Sequence, residues 1–256
     1  KILVPKSFYD DMRNSQYEQI ASQDPNYHNE EMVQEWTAVY YAMIEEIDER
    51  IGEILKHLGN QASNTLIIFT SDHGEMLGAH GMRDKFNFYE EASRVPLFIS
   101  WPGTIPEGTV VKEAVSHLDV FATILDYVGL SEYDGSDGSS LRPMVEGRSY
   151  NADYDEDVVV SEWDARMPDE DNPSKLWPRI DEKPALMIRK GNYKLMTQKL
   201  AKSHRMDLMF NLKEDPFELN NLLGHKSLIA SVATREKAEH LRCLLLDWMQ
   251  RMDGGT

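Results

Sequence analysis

Between Met32 and Leu58 apolar side chains recur at intervals of three and four, through Trp36, Val39, Tyr40, Met43, Ile44, Ile47, Ile51, Ile54 and Leu55. That period predicts one amphipathic α-helix of about seven turns, closed by Gly59-Asn60. The pattern then changes. Leu66-Ile67-Ile68-Phe69 is a short, continuous run of β-favouring residues, which predicts a strand over 65–70 buried on both faces, as in a parallel sheet. A glycine-rich loop separates it from a second strand at 95–100, closed by Trp101-Pro102-Gly103. Ser116 to Asp119 places an acid three residues after a serine and reads as a capping box for the helix Val120 to Val128, which Gly129 ends. Residues 1–29 hold Pro5 and Pro25 and no sustained period, so they read as an extended lead-in.

Helix, strand, loop, strand is α/β order. The segment 131–156 is rich in Asp, Gly and Ser and ends in the acidic run Asp153 to Asp157, so a boundary is expected there, dividing the chain into 1–152 and 153–256. Beyond it lie short strand candidates at 158–162, 185–189, 193–197 and 207–211, then a helix from about Val232 to Met252. Short strands followed by one helix describe a small α+β subdomain with a short antiparallel sheet. No internal repeat is present.

Charge narrows the function classes. The 256 residues carry a formal charge of −17, with an isoelectric point near 4.8. Such a chain is no general nucleic-acid binder, because that task needs Lys and Arg to neutralise phosphates. An anionic substrate would require local positive charge. Arg189, Lys190, Lys194, Lys199, Lys202, His204 and Arg205 lie close in sequence and form either a solvated face or such a patch. The single cysteine, Cys243, sits in an apolar run and reads as a core residue of the terminal helix, with no internal disulfide available to it. No apolar run reaches the length of a membrane span and no signal-peptide pattern appears. The chain starts at Lys1, so its first residue is not expected to be a native start.

The chemistry gathers after the first strand. Asp72-His73-Gly74 follows it directly, in the position where open α/β sheets place ligands. An adjacent carboxylate and imidazole reach one ion only where the backbone turns sharply, and Gly74 permits that turn. Taken alone, the triplet fits either a turn with a hydrogen-bonded Asp or part of a metal site. Lys85, alone in a polar loop, fits either solvation or an anion contact. His80, between Gly-Ala and Gly, either faces a substrate or shapes a tight loop. Arg94 either meets a substrate or anchors the loop to Glu90 or Glu91, the second being the expectation. His117 and Asp119 are accounted for by helix capping.

In combination the segments resemble the sulfatase family of the alkaline-phosphatase superfamily. The resemblance runs through YYAMIEEIDERIGEILKHL at Tyr40 to Leu58, NTLIIFTSDHGEMLGAHG, Lys85, Tyr89, RVPLFISWPG and SHLDVFATILDYVG. It continues more loosely through Gly138 to Leu141, Met187 to Leu195 and Asp215 to Leu222. It implies that the first strand belongs to a large mixed sheet flanked by helices, with residues 1–152 as the C-terminal part of the catalytic domain. It further implies that Asp72 and His73 are metal ligands and Lys85 the sulfate-contacting lysine. His80 belongs to the same block without an assigned role; by their own positions His80, Arg94 and, in the basic stretch, His204 and Arg205 are candidate substrate contacts. Calcium is the ion it implies, although an imidazole also suits Mn²⁺ or Zn²⁺. The implied activity is hydrolysis of a sulfate ester, with sulfated carbohydrates as expected substrates and a periplasmic, secreted or lysosomal-type compartment as the expected location. A phosphonate or phosphodiester hydrolase of the same superfamily, and a non-catalytic fragment, are the alternatives.

One family signature is absent from the sequence. Sulfatases make a formylglycine nucleophile from the Cys or Ser of a C-x-P-x-R or S-x-P-x-R motif, and none occurs here; Cys243 begins Cys-Leu-Leu-Leu-Asp. Asp10-Asp11 follow no strand and are poor candidates for the further metal-binding acids. The chain is therefore expected to be a C-terminal portion, inactive alone, whose nucleophile and partner strands lie in an N-terminal half outside these residues.

Overall fold

The computed structural model describes residues 3–9, 29–85, 87–130, 135–148, 158–163, 186–197, 207–224 and 230–253. Helix α1, Glu30–Leu58, begins where the Asn29 carboxamide oxygen accepts the amides of Glu31 and Met32 at 3.1 and 3.3 Å. Glu30 and Glu31 in its first turn and Lys56 and His57 in its last oppose the helix dipole with the favourable sign. Gly59, at φ +48°, ends it. Two strands follow, β1 (Ile67–Thr70) and β2 (Leu97–Ser100), with the four-residue helix α2 (Glu90–Ser93) between them. Helices α3 (His117–Tyr127) and α4 (Arg142–Val145) come next. The chain continues through β3 (Val158–Glu162), β4 (Leu186–Lys190), β5 (Tyr193–Thr197) and β6 (Leu208–Asn211) to helix α5, Val232–Asp253. The expected α/β class with a short antiparallel sheet and a terminal helix is what forms.

Two compact units are interleaved along the sequence. One comprises residues 1–37, 73–94 and 160–256, and the other 38–72 and 95–159. The expected boundary at 152/153 lies outside the described residues.

In the second unit β1 and β2 pair antiparallel, Ile67 facing Ser100 and Thr70 facing Leu97. This corrects the expectation of a parallel strand buried on both faces. The apolar run suits double burial, but among the described residues β1 has β2 as its one neighbour, and Phe69 and Phe98 stand opposite each other on an open face with ring centroids 5.9 Å apart. Helix α3 opens on the predicted capping box. The Ser116 hydroxyl accepts the Leu118 amide, and Asp119 returns to accept the Ser116 amide at 2.6 Å. Asp119 also accepts the Ser139 amide at 2.9 Å, so one buried carboxylate joins the helix start to the 136–141 turn.

The first unit is built on the sheet ordered β3-β4-β5-β6, with β4 to β6 an antiparallel meander. Helix α5 packs on β4, burying Ala238, Leu241 and Leu245. Cys243 is exposed, contrary to the expectation of a core position. At about 100° per residue it lies roughly opposite Leu241 and Leu245 on the helix. The lead-in is not wholly extended either, because Lys6–Tyr9 forms a 3₁₀ turn that buries Ser7 and Phe8 against the 3₁₀ turn at Ala79–Gly81. The core between the 76–92 loop and the sheet holds Met76, Phe88, Tyr89, Met187, Met196 and Phe210.

Candidate active site

His73, His80 and Lys85 sit on a loop whose two ends are fastened to α2. His73 begins it, half-buried, with ring Nδ1 2.8 Å from the carbonyl oxygen of Gly74. A carbonyl oxygen can only accept, so Nδ1 carries the proton and the lone pair of the neutral ring lies at Nε2. That is the tautomer an imidazole metal ligand needs. Gly74 in turn donates its amide to Ala92 of α2 at 2.8 Å. The approach is close enough that a Cβ at position 74 would stand 1.9 Å from the Glu91 carbonyl oxygen. Asp72, exposed, accepts from the Ser71 hydroxyl at 3.4 Å.

Between His73 and Lys85 the loop folds on itself. The Glu75 carboxylate accepts the amides of Asp84 and Leu77 at 2.8 and 3.3 Å, and the Met76 amide donates to Asp84 at 3.0 Å. Lys85 is half-buried. Its carbonyl accepts the Asn87 side-chain amide at 2.5 Å, and the Asn87 oxygen accepts the amide of Tyr89, the residue capping α2. Both His73 and Lys85 are thus referred, through one short relay each, to the same helix.

His80 is buried, adopts φ +52°, and stacks on the Tyr89 ring with centroids 3.9 Å apart, while its amide donates to the Ser7 hydroxyl at 3.3 Å. Arg94 is exposed, and the expected ion pair to Glu90 or Glu91 is absent among the described residues; its backbone amide alone reaches the Glu90 carbonyl, at 2.9 Å. Glu90 is instead taken by Lys194 at 2.8 Å and by Arg189 at 3.9 Å. His204 lies outside the described residues, as do Lys199, Lys202 and Arg205. His117 places its Nε2 3.1 Å from the Thr70 hydroxyl at the end of β1.

Sequence reasoning missed the centre of this arrangement. Lys194, grouped with a basic stretch, is fully buried, with its ammonium 2.8 Å from Glu90, 3.0 Å from Glu218 and 3.4 Å from the Ser93 hydroxyl. Glu218, also fully buried and at φ +52°, accepts the Glu90 amide at 2.6 Å. Burial pushes the Glu218 carboxyl above its ordinary range, and the Lys194 charge and the Glu90 amide offset only part of that rise. The signal was the burial pattern: Lys194 faces the same way as Met196 on β5, and i, i+2 residues share a sheet face.

Whether these residues suit a divalent ion is decided by donor number and type. Among the described residues no group of three or more His, Cys, Asp or Glu converges to hold a metal. Asp72 and the Nε2 lone pair of His73 supply two donors of the right kind, fewer than the four of a zinc site or the six to eight of calcium. By donor type they suit such an ion, and by number they make up only part of a shell.

Residues 4–130 match the family described as Sulfatase, and residues 78–242 match the C-terminal family of N-sulphoglucosamine sulphohydrolase. The choline-sulfatase of Rhizobium meliloti is 34% identical over 198 residues, which cover 75% of this chain and 34% of that protein. The N-acetylglucosamine-6-O-sulfatase of Bacteroides thetaiotaomicron is 30% identical over 75% of this chain and 32% of its own length. Among solved structures, the phosphonate monoester hydrolase of Silicibacter pomeroyi superposes with a TM-score of 0.76 at 25% identity, covering 97% of this chain and 50% of that one. The chain belongs to the sulfatase family. It spans about a third of the two curated relatives and half of the solved hydrolase.

Proposed function

We propose that this chain supplies one side of a sulfuric ester hydrolase site, with Asp72 and His73 as metal ligands and Lys85 as the sulfate-binding cation. The observation that carries the reading is the 2.8 Å contact of His73 Nδ1 with the Gly74 carbonyl, which leaves Nε2 as the ring's lone-pair nitrogen, just after β1 in a chain of the sulfatase family. A divalent ion, calcium by family resemblance and Mn²⁺ or Zn²⁺ by the imidazole donor, would polarise the sulfate and lower the pKa of a coordinated nucleophile. Lys85 would hold a sulfate oxygen and offset the negative charge that grows on the leaving oxygen as the S–O bond breaks. Water is consumed, and an alcohol and sulfate are released. The formylglycine nucleophile would come from chain outside these residues, since no C/S-x-P-x-R motif lies within them. The burial of His80 against Tyr89 supports a role in shaping the loop. Sulfated amino sugars are the substrate class favoured by the N-acetylglucosamine-6-O-sulfatase relative.

In the full-length protein, Asp72→Ala should lower bound metal, whereas Lys85→Ala should lower turnover of an aryl sulfate with metal retained. Equal metal loss in both variants would refute the assigned roles. A second reading, phosphonate or phosphodiester hydrolysis, is favoured by the likeness to the Silicibacter pomeroyi enzyme. Rates on matched aryl sulfate and aryl phosphodiester substrates separate the two, a marked preference for the phosphodiester selecting the second.

A further inference from the structure

We infer that Lys194, Glu90 and Glu218 form a buried clamp that positions His73 and Lys85, so that the C-terminal sheet sets the geometry of the site while touching no substrate. The inference rests on the roles proposed for those two residues. Lys194 stands on β5 with no exposed surface, and its ammonium reaches both ends of α2, Glu90 at 2.8 Å and the Ser93 hydroxyl at 3.4 Å. Glu218, in the turn after β6, completes the grip by accepting the Glu90 backbone amide at 2.6 Å. Such an amide at a helix start has no partner within the helix. Arg189 on β4 adds a weaker contact to Glu90 at 3.9 Å.

What α2 then holds is the site loop, at both ends. The Ala92 carbonyl accepts the Gly74 amide at 2.8 Å, and the Gly74 carbonyl accepts His73 Nδ1 at 2.8 Å. On the other side Asn87 joins the Lys85 carbonyl to the Tyr89 amide at 2.5 and 2.9 Å. A four-residue helix has too little hydrogen bonding of its own to hold position. Its placement is imposed from outside, and the clamp is the polar part of that constraint, beside the packing of Phe88, Tyr89 and Ala92 in the core. Stability alone gives a weak reason to bury these charges, because well-packed neutral groups commonly do as well.

The test uses the full-length protein and two readouts, affinity for added Ca²⁺ or Mn²⁺ by calorimetry and hydrogen exchange of the Gly74 amide. Three variants are compared with the parent: Glu90→Gln, Lys194→Met, and the double variant Lys194→Met/Glu218→Gln, which removes one positive and one negative charge together and so keeps the chain foldable if Lys194→Met alone does not fold. Glu90→Gln and the double variant should weaken metal binding by about threefold to tenfold, less than the roughly 10- to 100-fold of losing a ligand's direct hydrogen-bond partner, because they reach His73 only through α2 and Gly74. Gly74 exchange should speed up about tenfold or more in both, even where thermal stability is preserved in the double variant. Unchanged exchange and unchanged affinity in these folded variants would overturn the clamp. Asp72→Ala is the control for the site itself: if it leaves metal affinity untouched while Glu90→Gln speeds Gly74 exchange, the metal assignment fails and the clamp on the loop stands.

Discussion

Replacing Gly74 by alanine tests the tightest junction in the loop. Gly74 is not among the left-handed glycines, so alanine is conformationally acceptable and the cost is steric. The new Cβ would meet the Glu91 carbonyl oxygen at 1.9 Å and its carbon at 3.0 Å, with Ala92 Cα at 3.4 Å. All three atoms are backbone, so no rotamer change relieves the contact. The strand of chain at 73–75 and α2 must separate by about 1 Å or more, which breaks the 2.8 Å bond from the Gly74 amide to Ala92. Overpacking of this kind costs about 1–3 kcal/mol, and the lost hydrogen bond about 1 kcal/mol more. The expected loss of stability is therefore about 2–4 kcal/mol, read as a shift in urea denaturation of the full-length protein. Bound metal should fall with it, since Gly74 carries the acceptor of His73. Gly52→Ala is the matched control: a Cβ there meets nothing within 4 Å in the middle of α1, so a stabilisation of up to about 1 kcal/mol is expected. A loss below about 0.5 kcal/mol for Gly74→Ala would show that the close approach does not constrain the loop.

Asp119→Ala should cost about 3 kcal/mol by the same denaturation, because it removes the helix cap and strands the Ser116 and Ser139 amides; Asp119→Asn should cost less, and an equal cost would deny the amides their part. Around Arg142, burial raises Asp126 and Glu146, but hydrogen bonds from Ser140 and Arg142 to the first, and from Arg142 and Arg148 to the second, together with the guanidinium charges, hold both below their ordinary values of 3.8 and 4.5. Depressed carboxyl values stabilise the fold above the ordinary values and lose that effect as pH falls through the depressed ones. Arg142→Gln should accordingly lower the melting temperature more at pH 7 than at pH 3, and an equal drop at both would refute the electrostatic account.

Much of the fold was legible because it is locally encoded. The period from Met32 to Leu58, the Ser116-to-Asp119 cap and the β-favouring runs each state their element within a few residues. Strand direction was not legible. Ile67 to Phe69 reads the same whether its neighbour runs with it or against it, and the pairing with Leu97–Ser100 is settled by the path of the chain between them. In the proposed site, Asp72, His73 and Lys85 stood out by order along one segment, whereas Lys194 and Glu218, which meet α2, did not. Lys194 is 104 residues from Glu90, and Glu218 is 128. A lysine next to other cations reads as solvated until the sheet shows which face it occupies. Arg94 misled too: the sequence placed it beside Glu90 and Glu91, the fold gave Glu90 to Lys194, and Arg94 itself is exposed.

The long helix carries the remaining argument. Its apolar stripe has the period of a buried face, yet Val33 and Thr37 are its buried residues, and Val39, Met43, Ile44, Ile47 and Ile54 are exposed, Ile54 at 62%. Within the same unit Phe98 on β2 is 64% exposed, and Phe121 and Ile124 on α3 and Val128 just after it are exposed too. Full burial of such a side chain from water is worth about 1.5–3 kcal/mol, and these, already about half covered, would gain roughly half of that. A helix needed only for its own unit would be served as well by polar residues at those positions, and scattered exposed apolar groups would need no account. Here they are ordered, on two helices and a strand, at the spacing that packing against further elements requires. Among the described residues β1 and β2 pair only with each other, which likewise leaves outer edges able to accept neighbours. These exposed apolar side chains are what the proposal of completing strands and helices from outside the 256 residues would account for, and their burial would give such an association a physical driving force.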